Sequence, residues 1–218
     1  MRRHRAVTAL VAAALASVAG CGSAAKPAKF HPAGEPAPSS TASFGSLGSS
    51  GPDGVVRPPF GHNVRVHMTG WRPAGASAAR AVIADKNFEL AYLYSEYTGG
   101  KDTRWTAYAG RRVRRDFAAA LAKPDVTTES FRGALSYTHM RAFADPGHHG
   151  AIDVSACFDN SRAANTSIRT GKVIPDRTPA ADHYFRYTDI LAKGGSGNWR
   201  VIGNYPAVYY PQARECKP

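Results

Sequence analysis

The stretch 151–161 reads Ala-Ile-Asp-Val-Ser-Ala-Cys-Phe-Asp-Asn-Ser. Ile152, Val154, Ala156 and Phe158 fall on one side of an extended chain; Asp153, Ser155, Cys157 and Asp159 fall on the other. This is the period-two pattern of a strand with one apolar face. The apolar face needs a layer over it, so the strand is read as the centre of a small curved sheet roofed by helices. The opposite face carries one of two cysteines in the body of the chain.

Working outward, Phe131 to Ala144 is a second strand, and the Asp145-Pro146-Gly147 turn makes it the hairpin partner of 151–160. His183 to Lys193, rich in Tyr, Phe, Thr and Ile, is a third. Gly194 to Asn198 is a hairpin loop, and Trp199 to Tyr205 is the last long strand. Near the start of the folded part, Val64, Val66 and Met68 alternate with Arg65 and His67 in a short edge strand. Between lie two helices. The first spans Ser77 to Tyr97, with one stripe of Ala79, Val82, Ile83, Leu90, Leu93, Tyr94 and Tyr97 and a second of Phe88, Ala91, Tyr92 and Ser95. A helix apolar on two sides belongs inside the curve of the sheet, and Gly99-Gly100 ends it. The second starts at Asp102 or Thr103, carries Trp105, Tyr108, Val113, Phe117 and Leu121 at one-turn spacing, and closes at Lys123-Pro124-Asp125. Its Arg111, Arg112, Arg114 and Arg115 form a basic face, either solvated or in contact with an anionic polymer. Helices followed by an antiparallel meander define an α+β domain, with N-terminal helices packed in a curved antiparallel sheet.

The N-terminus is of a different kind. Met1 to Arg5 is basic, and Ala6 to Ala16 is an apolar run broken only by Thr8, too short for a comfortable membrane span. Val18-Ala19-Gly20-Cys21 follows and resembles the bacterial lipobox, which implies that residues 1–20 are a lipoprotein signal peptide and that Cys21 is lipidated. Two or more acyl chains suffice for stable anchoring. Residues 21–57 are rich in Pro, Ala, Ser and Gly and cannot bury enough apolar area to offset their ordering entropy. They read as a tether with a reach of roughly 30–35 Å, and the domain occupies 58–217. The chain of 218 residues carries a formal charge of +12; without the signal peptide it keeps 25 basic against 16 acidic residues. Export excludes nucleic acid and leaves anionic cell-wall polymers, lipid headgroups or another envelope protein as counter-charges. Of the three cysteines, lipidation consumes one. An oxidising compartment then favours a Cys157–Cys216 disulfide that staples the C-terminal tail to the central strand; the alternative is two unrelated thiols.

The two helices, the Asp145-Pro146-Gly147 turn, Val-x-Ala-Cys-Phe-Asp-Asn-Ser from Val154 to Ser161, the Thr170-Gly171-Lys172 turn, Trp199-Arg200-Val201 and the terminal Cys216 resemble exported actinobacterial lipoproteins of the cone-shaped, nuclear transport factor two-like superfamily. The run from Asp85 to Tyr97 is similar to the same group. The resemblance implies a helix-filled cone. It implies no single function, because that superfamily includes isomerases, cyclases and dehydratases as well as binding and assembly domains.

In catalytic members a carboxylate or His projects into the cone as general base and a Tyr stabilises developing charge. Asp153 and Asp159 lie opposite the apolar face and are read as outside the cone. The catalytic candidates are His139, His183, Tyr187 and Asp189, the last two reaching the interior together or not at all. Phe88, Tyr92, Trp105 and Tyr108 are expected to line the pocket. His148-His149 lacks a ligand quartet, so no metal is expected, and no motif calls for a cofactor. The chain thus reads as a lipid-anchored protein of the extracellular membrane face, non-enzymatic, whose cone binds a small ligand or assembles with an envelope partner or a second copy through the open sheet face. The alternative is a small-molecule isomerase or lyase of the polyketide-cyclase kind. Cys21→Ala is expected to move the protein from the membrane fraction to the medium, followed by immunoblot of fractionated cells; unchanged membrane retention would contradict the anchor.

Overall fold

A computed structural model describes residues 54–56, 60–61, 63–70, 75–176 and 178–217. The expected signal peptide, Cys21 and all of the expected tether but 54–56 lie outside the described residues. The core of the architecture is a long hairpin of β3 (Glu129–Ala144) and β4 (Ile152–Ser167), with Glu129 opposite Ser167 at one end and Ala144 opposite Ile152 at the other. The quoted alternation holds. Val154, Ala156 and Phe158 join the main apolar core with Ile152 packed against it, while Cys157 belongs to a small separate cluster behind the sheet.

Two irregularities bend the hairpin, as extra residues on one strand do. One sits between Ala134 and Ser136, the other between Thr138 and Arg141. The second holds His139 at φ 53°. It moves the buried positions of β3 from Phe131, Leu135 and Tyr137 to Met140, so the apolar side stays inward beyond the bend. Gly133, at φ 109°, makes the curve possible on the other arm: a Cβ there would overlap the Arg162 carbonyl oxygen.

Around the hairpin the sheet runs β1 (Gly54–Val56), β2 (Val64–Met68), β3, β4, β5 (Tyr184–Lys193) and β6 (Trp199–Tyr209). It is antiparallel throughout except at β2–β3, which run parallel. That departs from the wholly antiparallel sheet expected, and the connection explains it. The described elements between β2 and β3 are all helical, and a helical crossover carries the chain back to the end at which β2 began, as parallel pairing requires. Nor is β2 an edge, since β1 pairs outside it.

The crossover comprises α1 (Ala76–Tyr97), a 3₁₀ turn (Arg104–Tyr108), α2 (Arg111–Leu121) and α3 (Pro124–Thr128). Helix α1 lies in the concave side and buries Val82, Phe88, Leu90, Ala91 and Leu93. Ile83, assigned to its apolar stripe, instead points outward and is exposed. Gly99 and Gly100 terminate it at positive φ, and the Gly100 N–H donates to Ser95 O at 2.8 Å. The expected single second helix is broken at Ala109-Gly110. There the Gly110 N–H donates to Val201 O at 2.7 Å, tying the break to β6, at a residue with little helix propensity to oppose it. Of the α2 arginines, Arg111, Arg112 and Arg115 face solvent, whereas Arg114 Nε donates to the carbonyls of Thr106 and Ala109. No described helix is long and apolar enough to cross a membrane.

Cys157 and Cys216 form a disulfide with a Cα–Cα distance of 5.0 Å, packed against Ala213 and Val208 on the outer face. It closes a loop of 59 residues' separation. Removing it as Cys157→Ser/Cys216→Ser is expected to cost roughly 4 kcal/mol in the chain-entropy account, read from urea unfolding of the double variant. An unchanged midpoint would contradict the tail's role as a staple.

Candidate functional site

Four polar residues of α1 share one face. Asp85, Glu89, Tyr92 and Glu96 occupy i, i+4, i+7 and i+11, within about 60° of arc on a 3.6-residue helix. That face looks into the cone. Opposite it, the inward positions of three adjacent strands supply Tyr137 from β3, Phe158 from β4 and Tyr187 and Asp189 from β5, with Tyr137 paired to Phe158, and Val154 to Asp189, across the strands.

The groups meet in hydrogen bonds. Tyr137 Oη donates to Glu89 Oε2 at 3.0 Å, and Tyr187 Oη donates to Asp85 Oδ2 at 3.2 Å. Asp189 is hydrogen-bonded to Asp85. The two phenol rings stand edge-on to each other, with centroids 5.8 Å apart. Asp85 is wholly buried and Asp189 nearly so. Asp85 Oδ1 and Asp189 Oδ2 are buried without a hydrogen-bond partner.

Burial disfavours charge, and here it dominates. It pushes the Asp85 carboxyl well above the usual range, with Glu89 adding to the effect. It does the same to Glu89, reinforced by Asp189, and to Asp189, reinforced by Asp85. Glu96, desolvated and facing Asp125, is pushed up to about 8 despite its hydrogen bond from Tyr92. The phenols of Tyr92, Tyr137 and Tyr187 rise for the same first reason. The floor of the cone is therefore a set of carboxyl groups that hold their protons more tightly than free acids do, two of them accepting hydrogen bonds from phenols.

Over this floor lies a cavity of about 330 Å³, walled by Glu89, Tyr92, Glu96, Phe117, Tyr137, Phe158, Tyr187 and Asp189 among others. Lys123, Asp176 and Tyr205, all exposed, belong to its rim, so it reaches solvent. A pocket of this kind, apolar in body with a few convergent polar groups, is the ordinary form of a small-molecule site.

The four catalytic candidates separate. Tyr187 and Asp189 both enter the cone. His183 stands on the cavity wall, its Nδ1 2.7 Å from Asn160 Oδ1 and its Nε2 3.2 Å from Asp176 Oδ2, which braces the rim. His139 does not belong: it sits exposed in the β3 bulge, where the extra residue turns its side chain to the outer face. Of the expected lining residues, Tyr92 lines the cavity and Phe88, Trp105 and Tyr108 do not. Phe88 lies on the flank of α1 that meets α2, and packs with Trp105 and Phe117 at centroid distances of 6.5 and 5.3 Å. Tyr108 packs half-buried against the core. Phe117 takes the wall position instead. The acids of α1 and Tyr137 escaped the sequence reading, although the 4-3-4 spacing of Asp85, Glu89, Tyr92 and Glu96 was there to be seen.

Asp153 and Asp159 lie outside the cone, as the strand alternation requires. Asp153 is buried behind the sheet, where desolvation and then Asp145 push its carboxyl to about 6. Asp159 accepts the Ser161 N–H at 2.8 Å. Among the described residues no group of three or more His, Cys, Asp or Glu is placed to hold a metal ion.

The arrangement of helices within a bent sheet is that of a cone-shaped α+β domain. No protein-family description matches the chain, and no curated protein does. Among solved structures, a protein from Catenulispora acidiphila is similar at 12% identity over 64% of this chain and 98% of its own, with a TM-score of 0.36. A candidate ketosteroid isomerase from Shewanella frigidimarina is similar at 17% identity over 57% of this chain and 92% of its own, with a TM-score of 0.24. Likeness of that degree carries no argument about function.

The Glu96 shift has a sign. Its carboxyl binds a proton more tightly folded than unfolded, so its contribution to stability is whole below the ordinary value of 4.5 and is lost as pH rises toward about 8. Thermal unfolding across that window is expected to show a falling midpoint, and Glu96→Gln to flatten the fall; an equally steep fall in the variant would contradict the assignment.

Proposed function

We propose that the domain is a small-molecule-binding module of the cell envelope, held at the extracellular face of the membrane through Cys21, and that the cone cavity is its binding site. The observation that carries the reading is the solvent-connected cavity whose aromatic wall converges on the Tyr137–Glu89 and Tyr187–Asp85 pairs. Apolar walls supply affinity through burial, and the polar floor orients whatever enters.

A second reading, an isomerase or lyase, draws on the same pairs. A carboxylate would take a proton from carbon next to a carbonyl, a phenol would donate to the carbonyl oxygen, and the proton would return at another carbon. The electrostatics favour binding over this chemistry. A general base must be ionised at working pH, and burial disfavours the ionised form of Asp85, Glu89 and Asp189 while the phenols of Tyr137 and Tyr187 already donate to Glu89 and Asp85.

Native mass spectrometry of protein extracted gently from its own membranes is the test. A non-covalent added mass, lost on denaturation and lost in Ala207→Trp, which fills the wall, is expected. A bare protein in both forms would overturn the binding reading. Deuterium uptake next to the carbonyl of a bound ketone, abolished in Asp189→Asn, would favour the enzyme instead.

A further inference from the structure

The residue types that line the cavity run against the composition of the protein. The chain has 28 Lys and Arg against 16 Asp and Glu. Yet six carboxyl groups, those of Glu89, Glu96, Asp125, Glu129, Asp176 and Asp189, border this one cavity, and among the described residues Lys123 is its only lysine or arginine. The wall also carries the aromatic side chains of Tyr92, Phe117, Tyr137, Phe158 and Tyr187. The deepest acid on the wall, Asp189, is 4% exposed, and its Oδ2 has no hydrogen-bond partner.

Resting on the binding reading above, we infer that the occupant is an organic cation, a protonated amine carrying an apolar body, with the ammonium seated against Asp189 and Glu89 and the body among the aromatic side chains. An anion would meet carboxyl groups at every depth of the cavity. A neutral molecule without a donor would offer the Asp189 and Glu89 carboxyls nothing to accept. A cation donates to those carboxyls, draws on ring quadrupoles and offsets the repulsion that keeps neighbouring carboxyls from ionising together. Binding then moves a proton: one floor carboxyl ionises as the ammonium arrives, and its proton leaves to solvent. The groups facing Asp189 at that moment are Asp85 and Glu89 from α1, Tyr137 from β3 and Tyr187 from its own strand.

The test compares three probes of one shape, 4-phenylbutylamine, 4-phenylbutanol and 4-phenylbutyrate, by calorimetry with the exported Cys21→Ser chain. The amine is expected to bind about tenfold or more tighter than the alcohol, with net proton release seen as a buffer-dependent heat, and the butyrate to bind weakest. Glu89→Gln and Asp189→Asn are each expected to lose most of the amine's advantage over the alcohol; Glu89→Gln, the less buried of the two, keeps the test open should Asp189→Asn fail to fold. Alcohol or butyrate binding as tightly as the amine overturns the inference and leaves the pocket reading standing. Absence of binding by all three up to millimolar concentration overturns both.

Discussion

A carboxyl group carried into an apolar interior must be neutralised, paired or expelled. The cone of this protein holds Asp85 and Asp189 inside, with Glu89 and Glu96 along the same cavity, whose one lysine among the described residues, Lys123, is exposed at the rim. Phenols and shared protons answer the acids instead. Tyr137 and Tyr187 are fixed by their strand positions to meet the acids of α1, so the concave sheet and the helix inside it are bound by polar contacts as well as apolar ones. The bend of β3–β4 serves the same end, since a flat hairpin would not bring three strands around one helix face.

This arrangement has a cost that the fold carries elsewhere. Hydrogen bonds to neutral acids are modest in net strength, and buried polar networks are unforgiving when a member is unpaired. The apolar core around them is correspondingly continuous: Phe60, Tyr94, Tyr97 and Phe131 interlock at one end and Phe88, Trp105 and Phe117 at the other. The disulfide to Cys216 secures the outer face, where the tail is also held by the Arg186–Glu215 ion pair.

The fold was legible because its signals are periodic. Strict alternation at 151–158, the turn at Asp145-Pro146-Gly147 and an even pair of cysteines each point to one geometry. The parallel β2–β3 pairing was less legible, because strand direction depends on where a connection ends, not on the pattern within a strand. The site was only half legible. Tyr187 and Asp189 announce themselves by sharing a strand face, whereas Asp85, Glu89 and Glu96 look like the solvated side of a helix until the sheet is seen to wrap it. Charged residue types are read as exposed by default, and the interior of this cone reverses that default. His139 misled for a related reason: strand parity places it until a bulge adds a residue.

The protonation of the floor is the physical claim on which ligand class, pH response and preference for binding over base catalysis all depend. Carbon-13 NMR of the side-chain carboxyls in the unliganded chain at pH 7 reads it directly. The account predicts that the Asp85 and Asp189 carboxyl carbons resonate where protonated acids do and stay there through neutrality. Resonances at the ionised position from mildly acidic pH upward would contradict it.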